Sequence, residues 1–129
     1  MQKLTQQDRE TRVSGETGLY RLRVFEKGVL VRAHLVRSPS VTIGRVAECE
    51  IQVENGWLSR KHAQLDLLAP GVVRVRDLGS RNGIFAEGQR IEQREFRSNF
   101  AFNVGGEVKI EVEFLSEVVG LIPEGEMVP

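Results

Sequence analysis

The sequence predicts an all-β fold, either a sandwich or a barrel of many short strands. Between residues 18 and 115, apolar residues alternate with charged residues at a period of two, which is typical of strands with one buried face. Turn-forming residues interrupt this alternation at intervals of roughly 8–12 residues, as they do in sandwiches and barrels. No window of about 11 residues shows the apolar stripe of an amphipathic helix.

The strands can be followed along the chain. The first, GLYRLRVF, alternates apolar residues with arginine. The second, GVLVRAHLVR, places Val29, Val31, Ala33 and Leu35 on one face, which we expect to be buried. The segments VTI, EIQV, HAQLDLL and VVRVRDL follow, and VKIEVEFL alternates most clearly. Turns are predicted between these strands at Glu26-Lys27-Gly28, Ser38-Pro39-Ser40, Glu54-Asn55-Gly56, Pro70-Gly71, Asn82-Gly83, Glu87-Gly88 and Gly105-Gly106.

Composition excludes several classes of protein. The 129 residues include 18 Lys or Arg and 18 Asp or Glu, and this balance argues against a protein that binds nucleic acid or an anionic membrane. Cys49 is the single cysteine, so an internal disulfide is impossible, and with two histidines in the chain we expect no metal site. No apolar segment reaches the roughly 20 residues that span a bilayer. We therefore expect a cytoplasmic protein without a cofactor.

The ends of the chain differ from its middle. Residues 1–17 are polar and without periodicity, and we expect them to form a flexible N-terminal tail. Residues 18–115 form the predicted domain. Residues 116–129, SEVVGLIPEGEMVP, lack alternation and are predicted to be a C-terminal tail or a linker.

Three predicted loops at strand ends combine a cation with a small or turn-forming residue. They are Gly44-Arg45, the SRKH segment 59–62 and the SRNG segment 80–83. If the loops meet in space, their guanidinium and hydroxyl groups form a set that suits a phosphate, because arginine donates hydrogen bonds in a planar fork.

The spacing of these loops resembles the forkhead-associated (FHA) domain family. GR is followed about 14 residues later by SRKH and about 20 residues after that by SRNG, and the resemblance covers about residues 18–115. It implies a β-sandwich of about eleven strands whose loops at one end read phosphothreonine peptides. The segment FRSNFAFNVGG departs from the family pattern, since it lacks the usual Gly-Asp turn.

The resemblance also implies roles for individual residues. Arg45 and Ser59 would contact the phosphate, and Arg60 would contact the phosphate or the peptide. Arg81 would line the threonine pocket, and Asn82 would bond to the peptide main chain. The remaining residues of the motifs, Gly44, His62 and Gly83, would support the loops, and Lys61 would be a surface residue. Trp57 either packs against the domain or faces the peptide.

Two other functions are weighed against this interpretation. Ser59 and His62 invite a hydrolase interpretation, but the chain has no G-x-S-x-G elbow, and on an extended segment these two side chains point to opposite faces. We therefore expect no enzyme activity. The alternative is a scaffold or oligomerisation module of the same fold that does not depend on phosphate. Such a module would lack the arginine after Gly44 or the serine before Arg60, and both are present.

The N-terminal tail suggests a ligand for the domain itself. Thr11 follows Asp8 and Glu10 in a polar segment and resembles acidic threonine sites that kinases modify in some bacterial members of the family. We predict that a serine/threonine kinase acts upstream. Phosphorylated Thr11 would then bind in the phosphate site of its own domain, or in that of a second copy, which would give a weak homo-oligomer. Thr5 and Thr17 are the competing sites.

Overall fold

Residues 20–115, which are the residues the computed structural model describes, form eleven strands in two sheets. The predicted tails, 1–17 and 116–129, and with them Thr11, lie outside the described residues. The strands are β1 Tyr20–Glu26, β2 Val29–Val36, β3 Ser40–Gly44, β4 Ile51–Gln52, β5 Ala63–Ala69, β6 Val72–Asp77, β7 Ile84–Ala86, β8 Gln89–Ile91, β9 Gln93–Phe96, β10 Phe100–Val104 and β11 Val108–Phe114.

The two sheets form a sandwich, which confirms the predicted fold class. One sheet has six strands in the order β2-β1-β11-β10-β7-β8, and the other has five in the order β4-β3-β5-β6-β9. All the pairings are antiparallel except that of β3 with β4. Within residues 20–115, no helix is long and apolar enough to cross a membrane.

The core lies between the sheets and is made by the alternation that the sequence shows. In the six-stranded sheet, Leu22 and Ile110 are fully buried, and in the five-stranded sheet Leu65, Val73 and Val75 face them across the interface. Burial of a large aliphatic side chain contributes about 1.5–3 kcal/mol to folding. The period of two therefore determines which face of each central strand is turned inward.

Strand β2 is an exception, and the prediction that its apolar face is buried is wrong. Val29 is 62% exposed, Val31 is 49% exposed and Leu35 is 46% exposed. The strand is at the edge of its sheet, where its only partner in the described chain is β1, and its register shifts between Val24 and Phe25 of that partner. Because these side chains are exposed, no apolar layer of the described chain covers this face of the edge strand, and its alternation is not matched by burial.

The segment that departs from the family pattern forms regular structure. It contributes the end of β9 and the whole of β10, and the rings of Phe96 and Phe100 stack with centroids 4.0 Å apart. The side-chain oxygen of Asn99 accepts a hydrogen bond from the backbone N–H of Phe114 (2.8 Å), which fastens the connection between the two strands.

Five connections lie at one end of the sandwich. They are the segments that follow β1, β3, β4, β6 and β10. Ile43 at the end of β3 pairs with Ala63 at the start of β5, which pairs in turn with Asp77 at the end of β6. In the other sheet, the β1–β2 and β10–β11 turns are joined by a hydrogen bond from the Lys27 N–H to the Glu107 carbonyl (3.0 Å). All three predicted cationic loops are therefore at this end.

Equivalent substitutions on β1 and β2 test the exposure of the edge strand. Val24 is fully buried, so Val24→Ala should lower the free energy of unfolding by about 2 kcal/mol, from lost burial and the cavity left behind. Val29→Ala should change it by no more than about 0.5 kcal/mol. Urea unfolding followed by fluorescence measures both values, and equal losses would contradict the position of β2 at an uncovered edge.

Candidate functional site

A cavity of about 520 Å³ opens among the loops at this end of the sandwich. Four of its lining residues are cationic, and none is acidic. The lining residues are Arg45, Gly56, Trp57, Leu58, Ser59, Arg60, Lys61, Arg81 and Asn82. Such a concentration of positive charge, on a chain whose net charge is zero, gives the cavity the electrostatic character that suits an anion.

His62 joins the loops beneath this cavity. It is fully buried, and its ring accepts a hydrogen bond at Nδ1 from the Ser59 N–H (3.0 Å) while Nε2 lies 2.8 Å from the Gly83 carbonyl. Because a backbone N–H can only donate, Nδ1 carries no proton, and Nε2 is therefore the donor to Gly83. The backbone of His62 also donates to the Ile43 carbonyl and accepts from the Leu78 N–H, both at 2.9 Å.

Arg45 is held against the neighbouring loop by its backbone and its side chain. Its N–H lies 3.0 Å from the Arg60 carbonyl and 3.1 Å from the Ser59 carbonyl, and its Nε donates to the Leu58 carbonyl (3.1 Å). The bond from Nε orients the guanidinium plane. Its two terminal nitrogens remain as donors toward the cavity.

Gly44 permits this close approach. A Cβ at position 44 would overlap the Arg60 carbonyl oxygen and would lie 2.7 Å from the Cys49 sulfur. The Cys49 thiol itself donates to that carbonyl (3.3 Å), and burial raises the pKa of the thiol, which favours the protonated form that donates. A larger residue at position 44 would push the two loops apart.

Ser59 connects the second and third loops. Its Oγ accepts a hydrogen bond from the Arg81 N–H (2.9 Å), so the hydroxyl proton is left to donate into the cavity. In the same loop, Ser80 Oγ accepts from the Gly83 N–H (2.9 Å), and Gly83 has a φ of 85°, which favours glycine. The third loop is thus fixed by its own bonds and by Ser59.

Asn82 fastens the third loop to the turn that carries Trp57. Its Nδ2 donates to the Trp57 carbonyl (2.7 Å), so its side-chain oxygen remains as an acceptor. Trp57 is 42% exposed and packs on the β10–β11 turn, where a Cβ at Gly105 would lie 2.5 Å from the Trp57 Cβ. The two glycines at 105 and 106 leave room for the tryptophan.

We compared the sequence with models of known protein families, and one family with this fold matches. The model described as the FHA domain matches residues 41–105, half of the chain. The chain belongs to the FHA domain family. A search of curated proteins found no match to this chain.

Solved structures share the fold at low sequence identity. The FHA domain of CT664 from Chlamydia trachomatis is 22% identical over 76% of this chain and 99% of that one, with a TM-score of 0.68. A structure from a study of phosphothreonine-dependent FHA domain interactions has 19% identity, 76% and 98% coverage and a TM-score of 0.65. Mycobacterium tuberculosis EmbR in complex with a low-affinity phosphopeptide has 18% identity, 77% and 25% coverage and a TM-score of 0.65.

The FHA loops bring together every contact residue that the sequence analysis named. Arg45, Ser59, Arg60, Arg81 and Asn82 all line the one cavity. The predicted supporting residues lie elsewhere, with Gly44 and Gly83 at points of close approach or unusual backbone and His62 buried beneath the loops. The structure gives the positions of these residues, and their contacts with a ligand remain predictions.

The cavity also includes residues that the sequence analysis did not assign to it. Lys61 was expected on the surface, and although it is exposed it lines the cavity. Trp57, left between packing and ligand contact, has both environments, since it packs on Gly105 and lines the cavity. The closeness of both residues in sequence to Ser59 and Arg60 was the available signal, because strand alternation does not apply outside a strand.

The arrangement of Ser59 and His62 is not that of a nucleophile and its base. Both ring nitrogens of His62 are occupied by backbone groups, and the Ser59 hydroxyl is bonded to the Arg81 N–H. The backbone bends between Ser59 and His62, so the argument from opposite faces of an extended strand does not apply to these two side chains. Among residues 20–115, no group of three His, Cys, Asp or Glu side chains could hold a metal ion.

Replacement of His62 tests its role in joining the loops. His62→Leu leaves the Ser59 N–H and the Gly83 carbonyl without their partners, and each lost bond costs about 1–3 kcal/mol. We expect a loss of about 2–4 kcal/mol in the free energy of unfolding, measured by urea denaturation. Lys61→Leu, at the exposed neighbouring position, serves as the control and should change stability by less than about 0.5 kcal/mol.

Proposed function

We propose that this FHA domain is a non-catalytic module that binds phosphothreonine peptides in serine/threonine-kinase signalling in the cytoplasm. The observation that carries the proposal is the cavity whose lining brings together four cations and the Ser59 hydroxyl and includes no acidic residue. Two solved structures of similar fold support the same ligand. One was determined in a study of phosphothreonine-dependent FHA domain interactions, and the other is a complex with a phosphopeptide.

The charge of the ligand matches that of the cavity. A phosphothreonine carries about −1.5 to −2 charges and three acceptor oxygens at neutral pH. The terminal nitrogens of Arg45 and the Arg60 guanidinium would donate charge-assisted hydrogen bonds to these oxygens, and the Ser59 hydroxyl would donate a further one. Because Arg45 and Ser59 are already oriented by the protein, little side-chain freedom is lost when the phosphate binds.

The peptide main chain and the threonine methyl would be recognised separately. The Asn82 side-chain oxygen, free of the Trp57 bond, would accept a hydrogen bond from a peptide N–H. A small apolar notch between the loops of Ser59 and Asn82, beside Arg81, would take the methyl group, and burial of one methyl is worth about 1 kcal/mol of preference over phosphoserine. We expect micromolar affinity, on the order of −8 kcal/mol.

Arg45→Ala tests the phosphate contact. It removes a charged donor, and we expect the affinity for a phosphothreonine peptide to fall by about 2–3 kcal/mol, measured by titration calorimetry. Arg97→Ala is the matched control, because Arg97 is exposed in the β9–β10 connection and does not line the cavity. Equal binding of phosphorylated and unphosphorylated peptides would refute the proposed function and favour a phosphate-independent scaffold.

Thr11 is proposed as a ligand from the sequence alone. An upstream kinase would phosphorylate it, and the tether would present it to a cavity at an effective concentration in the mM range. We expect the phosphorylated chain to bind an added phosphothreonine peptide more weakly than the unphosphorylated chain, or to self-associate. Thr11→Ala should abolish both effects. Thr5→Ala and Thr17→Ala are the controls, and no change in the Thr11 variant would contradict the hypothesis.

A further inference from the structure

The geometry points to a second recognition element beside the phosphate cavity. We propose that Trp57, Glu54 and Glu107 bind a lysine or arginine side chain of the same phosphopeptide. The proposal rests on the proposed function, since it needs a phosphopeptide anchored in the first cavity. It adds the class of peptide that the domain selects, namely one with a basic residue near the phosphothreonine.

A second cavity of about 620 Å³ adjoins the first. The two share Gly56, Trp57, Arg81 and Asn82, so they form one continuous concave surface. The residues found only in the second are Glu54, Asn55 and Glu107. A peptide whose phosphate occupies the first cavity and whose main chain bonds to Asn82 would pass a neighbouring side chain into the second.

The two cavities differ in charge. Two carboxylates line the second cavity, and its one cation is Arg81, which also lines the first. In residues 20–115, neither Glu54 nor Glu107 forms an ion pair. The carboxylate of Glu54 accepts a hydrogen bond from the Gln52 amide (3.3 Å). The charged side chains of the second cavity are therefore two carboxylates and one guanidinium, whereas those of the first cavity are all cationic.

Trp57 offers a fixed aromatic surface between the two cavities. Its backbone N–H donates to the Asn55 side-chain oxygen (2.9 Å) and its backbone carbonyl accepts from the Asn82 amide, so the backbone of the residue is held on both sides. A Cβ at Gly106 would lie 3.4–3.6 Å from the six-membered part of its ring, so the glycine turn lies along the indole. The side chain nevertheless stays 42% exposed.

An indole beside two carboxylates is the chemistry that recognises a cationic side chain. Lysine and arginine bind to the face of an aromatic ring through its quadrupole and also form ion pairs with carboxylates. The same carboxylates repel an acidic residue, so the site selects by attraction and by exclusion. Asn55, which also lines the second cavity, is held by a hydrogen bond from its side-chain amide to the Glu26 carboxylate (3.3 Å).

The test uses phosphothreonine peptides in which a single position is varied. Each peptide carries Lys, Gln or Glu at one position within about four residues of the phosphothreonine, and binding to the intact chain is measured by titration calorimetry. We expect one position at which Lys binds about threefold to tenfold more tightly than Gln, and Glu more weakly than Gln. No preference for Lys at any position, with phosphopeptides still bound, would overturn this inference alone.

Two variants assign the preference to these residues. In the double variant Glu54→Gln and Glu107→Gln, the ratio of Lys to Gln affinities should fall to about one. Glu92→Gln, at an exposed residue outside both cavities, removes a single carboxylate elsewhere and should keep the ratio. An unchanged ratio in the double variant would assign the selectivity to other residues, and failure of every phosphopeptide to bind would refute the proposed function and this inference together.

Discussion

The arrangement of the cationic loops depends on the hydrogen bonds of one buried residue, His62. Its backbone bonds to Ile43 at the end of β3 and to Leu78 after β6, and its ring links Ser59 to Gly83. A buried polar ring is stable only when both nitrogens have partners. Because both partners are backbone groups, the histidine sets the distance between two loops whatever their exposed side chains are.

The cations above this histidine are close together, and like charges at short range destabilise a fold. They remain exposed to solvent, which weakens their repulsion, and the loops are held by neutral bonds beneath them. Arg45 is fixed through carbonyls and Ser59 through the Arg81 N–H. The sandwich thus holds the cationic side chains in place while leaving them available to a ligand, as expected for loops on a rigid scaffold.

Different parts of the structure could be predicted to different extents. In the central strands β1 and β11, alternation correctly identified Leu22 and Ile110 as core residues, because each strand lies between two neighbours and faces a second sheet. The same reasoning failed for β2, since alternation reports which residues share a face and not whether another layer covers that face. It also gave no information on Lys61 and Trp57, which lie in a turn where the period of two ends.

The sequence by itself determined the β class, the central strands, and the residue types in the three loops. These properties are local, because a strand's alternation and a turn's glycine or serine follow from backbone preferences over a few residues. Only the tertiary structure decided that Arg45, Ser59 and Arg81 surround one cavity, and that Glu54 and Glu107, 53 residues apart in the sequence, lie on a second cavity beside it. Strand pairing between distant segments brings these residues together, and no local pattern encodes those pairings.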